Sequence, residues 1–169
     1  MNDAIPTFEI DGGKRLGPFR RIHGVNGGPK YRSGQLDLRP AFRAFAPDTT
    51  RLHDVSLLAG IEAIDVHCIF PLPEADPDDP GNYLFAKTDD YLRWIREIDS
   101  EIVFRLGEPI EHGSPQFHVH PPADPAKWAR VCGNIVRHYN RGWAVGQEWH
   151  IRSWEVWNEP NIAPCWSGT

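Results

Sequence analysis

Apolar residues recur along the chain with two different spacings, which divide it into predicted strands and predicted helices. Short apolar-rich runs that end in turn residues predict four strands, at residues 19–29, 49–57, 101–109 and 151–160. Apolar positions three and four residues apart predict three helices between them, at residues 36–46, 87–99 and 123–143. This alternation is typical of a parallel sheet with its helices packed outside it.

Helix boundaries are clearest in the last predicted helix. Asp124 is placed to cap its amino end, Pro125 suits its first turn, and Gly142 can end it in a left-handed conformation. Its apolar face consists of Trp128, Val131, Cys132, Ile135 and Tyr139. In the preceding helix Thr88 is the predicted cap, and residues 61–73 before that helix are predicted to be extended.

Each predicted strand ends in polar residues before a loop begins. These residues are His23 and Asn26, His53 and Asp54, Arg105 and Glu108, and Asn158 and Glu159. In a β/α barrel the carboxyl ends of the strands share one face, and active sites are built on that face. We therefore expect the four strand ends to converge on one site.

Composition and charge narrow the classes of protein that fit. The chain has 169 residues, of which 40% are hydrophobic, and this suits one domain with a real core. The formal net charge is -5 and the chain has no basic stripe, so no nucleic-acid partner is predicted. Three widely spaced cysteines with no C-x-x-C pair indicate reduced thiols rather than a disulfide framework or a zinc knuckle.

The amino-terminal residues lack the apolar run of a signal peptide, and no apolar stretch approaches the length of a membrane span. These features favour a cytoplasmic protein with no membrane partner. A fragment of a longer exported protein would share them.

The stretch Asn158-Glu159-Pro160 carries the candidate chemistry. Cleavage of a sugar acetal needs a proton on the leaving oxygen, and a carboxylic acid held partly protonated near neutral pH can supply it. We expect apolar neighbours such as Trp157 to disfavour the charged form of Glu159. An isolated Asn-Glu-Pro is more often an exposed turn, but its place at the end of the fourth strand favours a functional reading.

Four segments together resemble a known family, namely "RLHDV", "FRLGEPIEH", "KWARVCGNIVRHYNRGW" and "WEVWNEPNI…CWSGT". From about Phe19 onward the chain looks like the N-terminal half of glycoside hydrolase family 39. That family contains β-xylosidases and α-L-iduronidases and belongs to the large clan of retaining (β/α)8 barrels.

The resemblance implies a role for several residues. Glu159 would be the general acid/base, Asn158 would contact the sugar 2-hydroxyl, and His53 would bind the sugar in the glycone subsite. Strand-end position adds Asp54, Arg105 and His23 as substrate-binding candidates. Trp166 either stacks on a sugar at an outer subsite or packs on Trp157, and the sequence does not decide between these. No cofactor is implied.

The predicted fold class is α/β of the (β/α)8 TIM-barrel type, with only about the first four units present. Residues 1–169 would then be the N-terminal part of the catalytic domain, since a closed barrel typically takes ~250 residues. The family's nucleophile lies on the seventh strand, so this half-barrel is expected to be inactive alone. An open sheet with uncovered edges is expected to self-associate or to pair with a missing C-terminal half.

The function indicated by the sequence is a retaining, β-xylosidase-like glycoside hydrolase that acts on a carbohydrate substrate. The alternative is a catalytically inactive half-barrel that binds carbohydrate or a partner chain. A β/α barrel of an unrelated enzyme class is a third possibility. A cleft shared by His53, Asn158 and Glu159 would distinguish the first from the third.

Other side chains favour ordinary structural roles. His118 and His120 form a His-x-His pair, but catalytic zinc takes three protein ligands and no third has suitable spacing, so no metal is predicted. His138 lies on a polar helix face and is expected to point into solvent. Glu155 shares strand parity with Trp157 and is expected to face a helix or solvent.

Overall fold

A computed structural model describes residues 7–14, 16–18, 22–32, 36–53, 56–57 and 61–168. Its elements in chain order are β1 (Val25–Asn26), β2 (Tyr31–Arg32), β3 (Leu36–Asp37), α1 (Arg39–Phe45), β4 (Thr49–Arg51), β5 (Ser56–Leu57), β6 (Ile61–Glu62), α2 (Val66–Ile69), a 3-10 turn (Pro80–Asn82), α3 (Ala86–Arg96), β7 (Glu101–Leu106), α4 (Pro125–Arg141) and β8 (Ser153–Val156).

A parallel sheet of four strands, in the order β1-β4-β7-β8, organises these elements. Thr50 of β4 is the register partner of Ile102 in β7, and Phe104 of β7 is that of Trp154 in β8. Helices follow each of the first three sheet strands, so the predicted mixed α/β fold with a parallel sheet is confirmed. Two short antiparallel hairpins, β2–β3 and β5–β6, were not predicted.

The longest helix, α4, matches its prediction at both ends. The Asp124 carboxylate accepts a hydrogen bond from the Lys127 amide at 2.9 Å, and Gly142 ends the helix with a φ of 66°. Four of the five residues of the predicted apolar face are buried, and Ile135 and Tyr139 are wholly shielded from solvent, while Trp128 is half-buried. Local capping and helical spacing are therefore sufficient to define this helix.

Two other predictions fail because distant contacts decide the local structure. Residues 61–73 are not extended throughout, since α2 forms at Val66–Ile69, where the Val66 amide donates to the Gly107 carbonyl at 3.0 Å. Thr88 does not cap α3, which begins at Ala86. Its hydroxyl is buried and donates to the carbonyl of Ala63, which ties the helix to the segment after β6.

The two faces of the sheet differ in chemistry because side chains alternate along each strand. On the helix-facing side Ile102, Phe104 and Leu106 of β7 are buried in the core, and the Phe104 ring lies 5.5 Å from that of Tyr139. The opposite side carries Arg51, Val103, Arg105 and Glu155, which are paired in register across the strands. We call this opposite side the inner face. Its polar residues form the candidate functional site.

His138 corrects a prediction, because it is buried rather than solvent-facing. Its ring is 1% exposed and stacks on Phe85 with a centroid distance of 3.5 Å. Its two nitrogens lie 3.0 Å from an Asp89 carboxylate oxygen and 2.9 Å from the Trp143 carbonyl. The polar stretch of α4 that contains His138 is therefore an interface with α3.

Within the described ranges, no helix combines the length and the apolar character that crossing a membrane would require.

Candidate functional site

Arg51, the last residue of β4, is the central polar group of the inner face. Its guanidinium binds both carboxylate oxygens of Glu155 on β8, each at 2.6 Å. It also donates to the side-chain oxygen of Asn26 on β1 at 3.0 Å and to that of Asn158 at 2.8 Å. One side chain thus links three strands at their carboxyl ends. Glu155 faces this network and not a helix, and its side chain is about 30% exposed to solvent.

A change in backbone conformation after β8 brings Asn158 to the inner face. Strict alternation would place Trp157 on the same face as Glu155. Trp157 instead has a φ of 64°, and its ring packs against Trp128 of α4 at 5.8 Å, on the helix side of the sheet. The next side chain, Asn158, consequently turns toward Arg51. A non-glycine residue at positive φ is costly and often marks a functional site.

The amide of Asn158 has a fixed orientation. Asn158 is 3% exposed, and its oxygen is occupied by Arg51. Its nitrogen therefore points the other way, 3.2 Å from the Cys165 sulfur and 3.5 Å from a carboxylate oxygen of Glu159. The two predicted motif residues are adjacent and in contact, and an amide donor faces the candidate acid.

Glu159 lies on an open surface and has a φ of 39°. Besides Asn158, the Cys165 thiol approaches its carboxylate at 4.0 Å. The apolar enclosure expected from Trp157 is not formed by the residues that the structure describes. The Trp157 indole instead donates to the Cys165 carbonyl at 2.6 Å, and Trp166 packs edge-on against it at 4.9 Å. For Trp166, packing on Trp157 is thus the observed arrangement.

The remaining predicted residues divide between the two ends of the sheet. His53 is half-buried and follows Leu52 just beyond the carboxyl end of β4. Asp54 lies outside the described residues. His23 precedes β1, where its ring contacts the Ala46 carbonyl at 3.1 Å and Phe45 at 5.3 Å. Because β1 begins only at Val25, His23 lies at the amino end of the sheet and not at the carboxyl end where it was predicted.

Arg105 corrects another prediction, because no part of it is open to a sugar. Its side chain is 0% exposed and pairs at 2.5 Å with Asp65, which is equally buried. It also donates to the carbonyl of Glu108. Arg105 therefore connects Asp65, which precedes α2, to the loop after β7. It stabilises that loop without being exposed itself.

A separate cleft of about 350 Å³ lies between α2, the loop after β7 and the start of α4. We call it the outer cleft. Its lining includes His67, Phe70, Glu108, His118, Trp128 and Trp157, but not Glu159. His67 pairs with Glu108, and its ring stacks on that of His118 at 3.9 Å. His118 in turn pairs with Glu111 at 2.9 Å. The sequence offered no sign that these two imidazole–carboxylate pairs meet.

Opposing effects set the charge states of these pairs. Burial lowers the pKa of His67, but hydrogen bonds with Cys68 and Glu108 and the charge of Glu108 more than offset it and raise that pKa to about 10. Burial raises the pKa of Glu111, but hydrogen bonds from His118 and Phe117 leave it below its ordinary value. His67 is therefore a cation, and Glu111 an anion, near neutral pH.

The described residues contain no group of three or more His, Cys, Asp or Glu side chains arranged to hold a metal ion. His120 of the His-x-His pair contacts the Ser167 hydroxyl at 2.6 Å and the Gln116 carbonyl at 3.0 Å. Both histidines of the pair thus have protein partners.

Removing the buried Arg105 charge should destabilise the fold strongly. Arg105→Met removes the cation that pairs with the buried Asp65 carboxylate, so we expect the free energy of unfolding to fall by about 3–5 kcal/mol in urea titrations. Arg105→Met combined with Asp65→Leu should recover part of this loss. The matched control Arg93→Met breaks an exposed pair with Asp90 and should cost less than about 1 kcal/mol. Equal losses in the two single variants would contradict the assignment.

The raised pKa of His67 predicts a pH dependence of stability. A pKa of 6.5 in the unfolded chain and about 10 in the folded chain means that the stabilisation is complete below pH 6.5 and is lost as pH rises through 10. We expect urea midpoints measured from about pH 6 to about pH 10 to fall more steeply for the natural chain than for His67→Gln. The variant His112→Gln, at an exposed histidine, should follow the natural chain. Parallel curves for the natural chain and His67→Gln would refute the prediction.

Comparisons with known proteins agree with this geometry at the level of fold. No protein-family model matches the chain, and no curated protein matches it. The chain is similar to the crystal structure of a glucosidase from Croceicoccus marinus, with 29% sequence identity and a TM-score of 0.70. The match covers 92% of this chain and 32% of the glucosidase chain, so this chain spans about a third of that protein's length. The chain thus has a glycosidase-like fold over nearly all of its residues.

Proposed function

We propose that this chain supplies the acid/base half of a retaining glycoside hydrolase. The observation that carries the proposal is the contact between Asn158 and Glu159 at the carboxyl end of β8, with the Asn158 amide oriented by Arg51. A carboxyl group within reach of a glycosidic oxygen can protonate it, and an amide donor beside that carboxyl can bind the neighbouring sugar hydroxyl. The similarity to a glucosidase supports the same reaction class.

Two proton transfers by Glu159 constitute its role. In the first step its protonated carboxyl gives a proton to the leaving alcohol, while the second carboxylate, supplied by the other half of the barrel, bonds to the anomeric carbon as the glycosidic bond breaks. In the second step the Glu159 carboxylate takes a proton from water, and the water oxygen attacks the same carbon, breaks its bond to the second carboxylate and releases the sugar. The Asn158 nitrogen, which faces Glu159, is placed to donate to the sugar 2-hydroxyl. His53, at the carboxyl end of β4, holds the sugar from the side.

Within this proposal the chain is the N-terminal half of a (β/α)8 barrel related to glycoside hydrolase family 39, with β-xylosidase-like specificity. The quoted sequence segments and the four sequentially ordered parallel strands support this assignment. A retaining reaction needs a second carboxylate about 5–5.5 Å from the acid. The family places it on the seventh strand, which none of the four sheet strands represents. The proposal therefore assigns the nucleophile to a part of the barrel that would pair with this one.

A second candidate is a half-barrel that binds carbohydrate or a partner chain without hydrolysis. The observation in its favour is that Glu155, the carboxylate nearest to Glu159 along β8, is bound through both oxygens to Arg51. A carboxylate held in this way is a poor nucleophile, because its charge is already satisfied by the cation.

Replacement of Glu159 tests the acid/base role. The assay uses this chain assembled with the second half of the barrel, which carries the proposed nucleophile. In that assembly we expect Glu159→Gln to lower the turnover of aryl β-xylosides and β-glucosides by about 10²–10⁴-fold. The loss should be smaller for a dinitrophenyl leaving group, which departs without protonation. The control Glu148→Gln, at an exposed glutamate close to Gly142 at the end of α4, should leave turnover unchanged. Turnover that is insensitive to Glu159→Gln would exclude the proposed role, and sugar binding without turnover would favour the binding half-barrel.

Replacement of Arg51 tests the orientation of Asn158. Arg51→Lys keeps a positive charge but loses the planar fork that binds Glu155 and Asn158 together. We expect kcat to fall about 10-fold or more, the equivalent of one charge-assisted hydrogen bond. In the natural chain a 2-deoxy substrate should react more slowly than the parent glycoside, and this difference should shrink in both Arg51→Lys and Asn158→Ala. An undiminished difference in either variant would contradict the arrangement.

A further inference from the structure

We propose that the outer cleft binds a neutral pyranose unit and thereby forms a second sugar site beside the Glu159 loop. The choice of a sugar rests on the proposed hydrolase function, whereas the cleft itself is defined by its geometry. Its volume of about 350 Å³ lies in the range of small-molecule sites. Walls come from three separate segments, namely α2 and the residues after it, the loop after β7, and the first turns of α4.

One part of the cleft wall is flat and apolar. Phe70, Pro71, Pro122 and Trp128 contribute ring surfaces, and Pro71 is exposed where the cleft opens. Rings of this kind pack well against the C–H face of a pyranose, because they are rigid and lose little conformational entropy on binding. The indole nitrogen of Trp128 is shielded from solvent, so the part of Trp128 that the cleft meets is its apolar ring surface.

The other part of the wall presents fixed polar groups. Glu108 binds His67 through one oxygen, Oε2, while its side chain keeps 10% of its surface exposed. His67 and His118 are held parallel by stacking, and each has its own carboxylate partner, Glu108 or Glu111. These contacts fix donor and acceptor atoms next to one another before any ligand arrives. Adjacent donors and acceptors of this kind can form hydrogen bonds with neighbouring hydroxyl groups of one sugar ring.

Charge balance favours a neutral ligand over an ionic one. The positive His67 is paired within the wall with Glu108. Lys127 and Glu74 add one charge of each sign to the lining, and the Asp124 carboxylate is engaged as the cap of α4. A charged ligand would therefore lie next to groups of its own sign as well as of the opposite sign. The hydroxyls of a neutral sugar ring can instead donate hydrogen bonds to the carboxylates and accept them from the cations.

Trp157 connects the outer cleft to the proposed acid. Its ring lines the cleft and packs on Trp128, while its backbone begins the turn that carries Asn158 and Glu159. The left-handed conformation of Trp157 thus builds both sites at once, one on each side of the sheet end.

Titration of the chain with methyl β-D-xylopyranoside and methyl β-D-glucopyranoside tests the proposal, with saturation-transfer NMR and tryptophan fluorescence as readouts. We expect saturable binding, weakened about 10-fold or more by His118→Ala, which removes a polar ring, and by Trp128→Leu, which removes a flat aromatic surface from the wall. The matched control His112→Ala, at an exposed histidine outside the cleft, should bind as the natural chain does. Glucuronate and glucosamine, the charged probes, should bind more weakly than the neutral glycosides.

The variant Glu159→Gln separates the cleft from the proposed reaction. Binding that survives Glu159→Gln and is weakened by His118→Ala supports the outer cleft, whether or not the chain shows turnover. Binding that is lost in Glu159→Gln and unchanged in both cleft variants would overturn the cleft and leave the hydrolase proposal intact. Absence of saturable binding by either neutral glycoside would also overturn it.

Discussion

The guanidinium of Arg51 is the constraint on which the site depends. It joins β1, β4 and β8 at the end of the sheet where the loops begin, through Asn26, Glu155 and Asn158. Arg51 and Glu155 are each about 30% exposed, so the pair adds little to stability and mainly fixes geometry. That geometry decides which way the Asn158 amide points, and hence whether Glu159 faces a donor or an acceptor.

Asn158 reaches the Arg51 guanidinium only because the backbone changes direction after β8. Trp157 makes this change by adopting a left-handed conformation. A bulky residue at positive φ costs about 1–3 kcal/mol and persists only when its surroundings compensate. Here the Trp157 amide donates to the Leu106 carbonyl at 2.6 Å and its indole donates to the Cys165 carbonyl at 2.6 Å. Gly107 is essential to this approach, since a Cβ at that position would lie 3.0 Å from the Trp157 Cα. The Gly107 position and the Trp157 turn therefore depend on each other.

Sequence reasoning succeeded where local chemistry decides the structure. The caps and apolar spacing of α4 lie within its own residues, and the alternation of strands and helices predicted the parallel sheet. The adjacency of Asn158 and Glu159 follows from chain order alone. Predictions failed where a residue distant in the chain determines the environment of a side chain. Examples are the hydrogen bonds of Thr88 to Ala63, of His138 to Asp89 and of Arg105 to Asp65. His23 was misplaced because the start of β1 depends on pairing with β4.

Arg51 escaped prediction for the same reason, since it bonds to Asn158 across 107 positions of the chain. Its parity with Val103 and Glu155 would have indicated a shared face, but only after the register of the sheet was known. The same register explains why two sites lie so close together. The polar inner face ends at Asn158 and Glu159, while the helix side ends at Trp157, Trp128 and the stacked histidines of the outer cleft. A single reversal of side-chain direction after β8 separates these two surfaces. Any substitution that restored strict alternation at Trp157 would therefore move Asn158 away from Arg51 and remove one wall of the cleft in the same step.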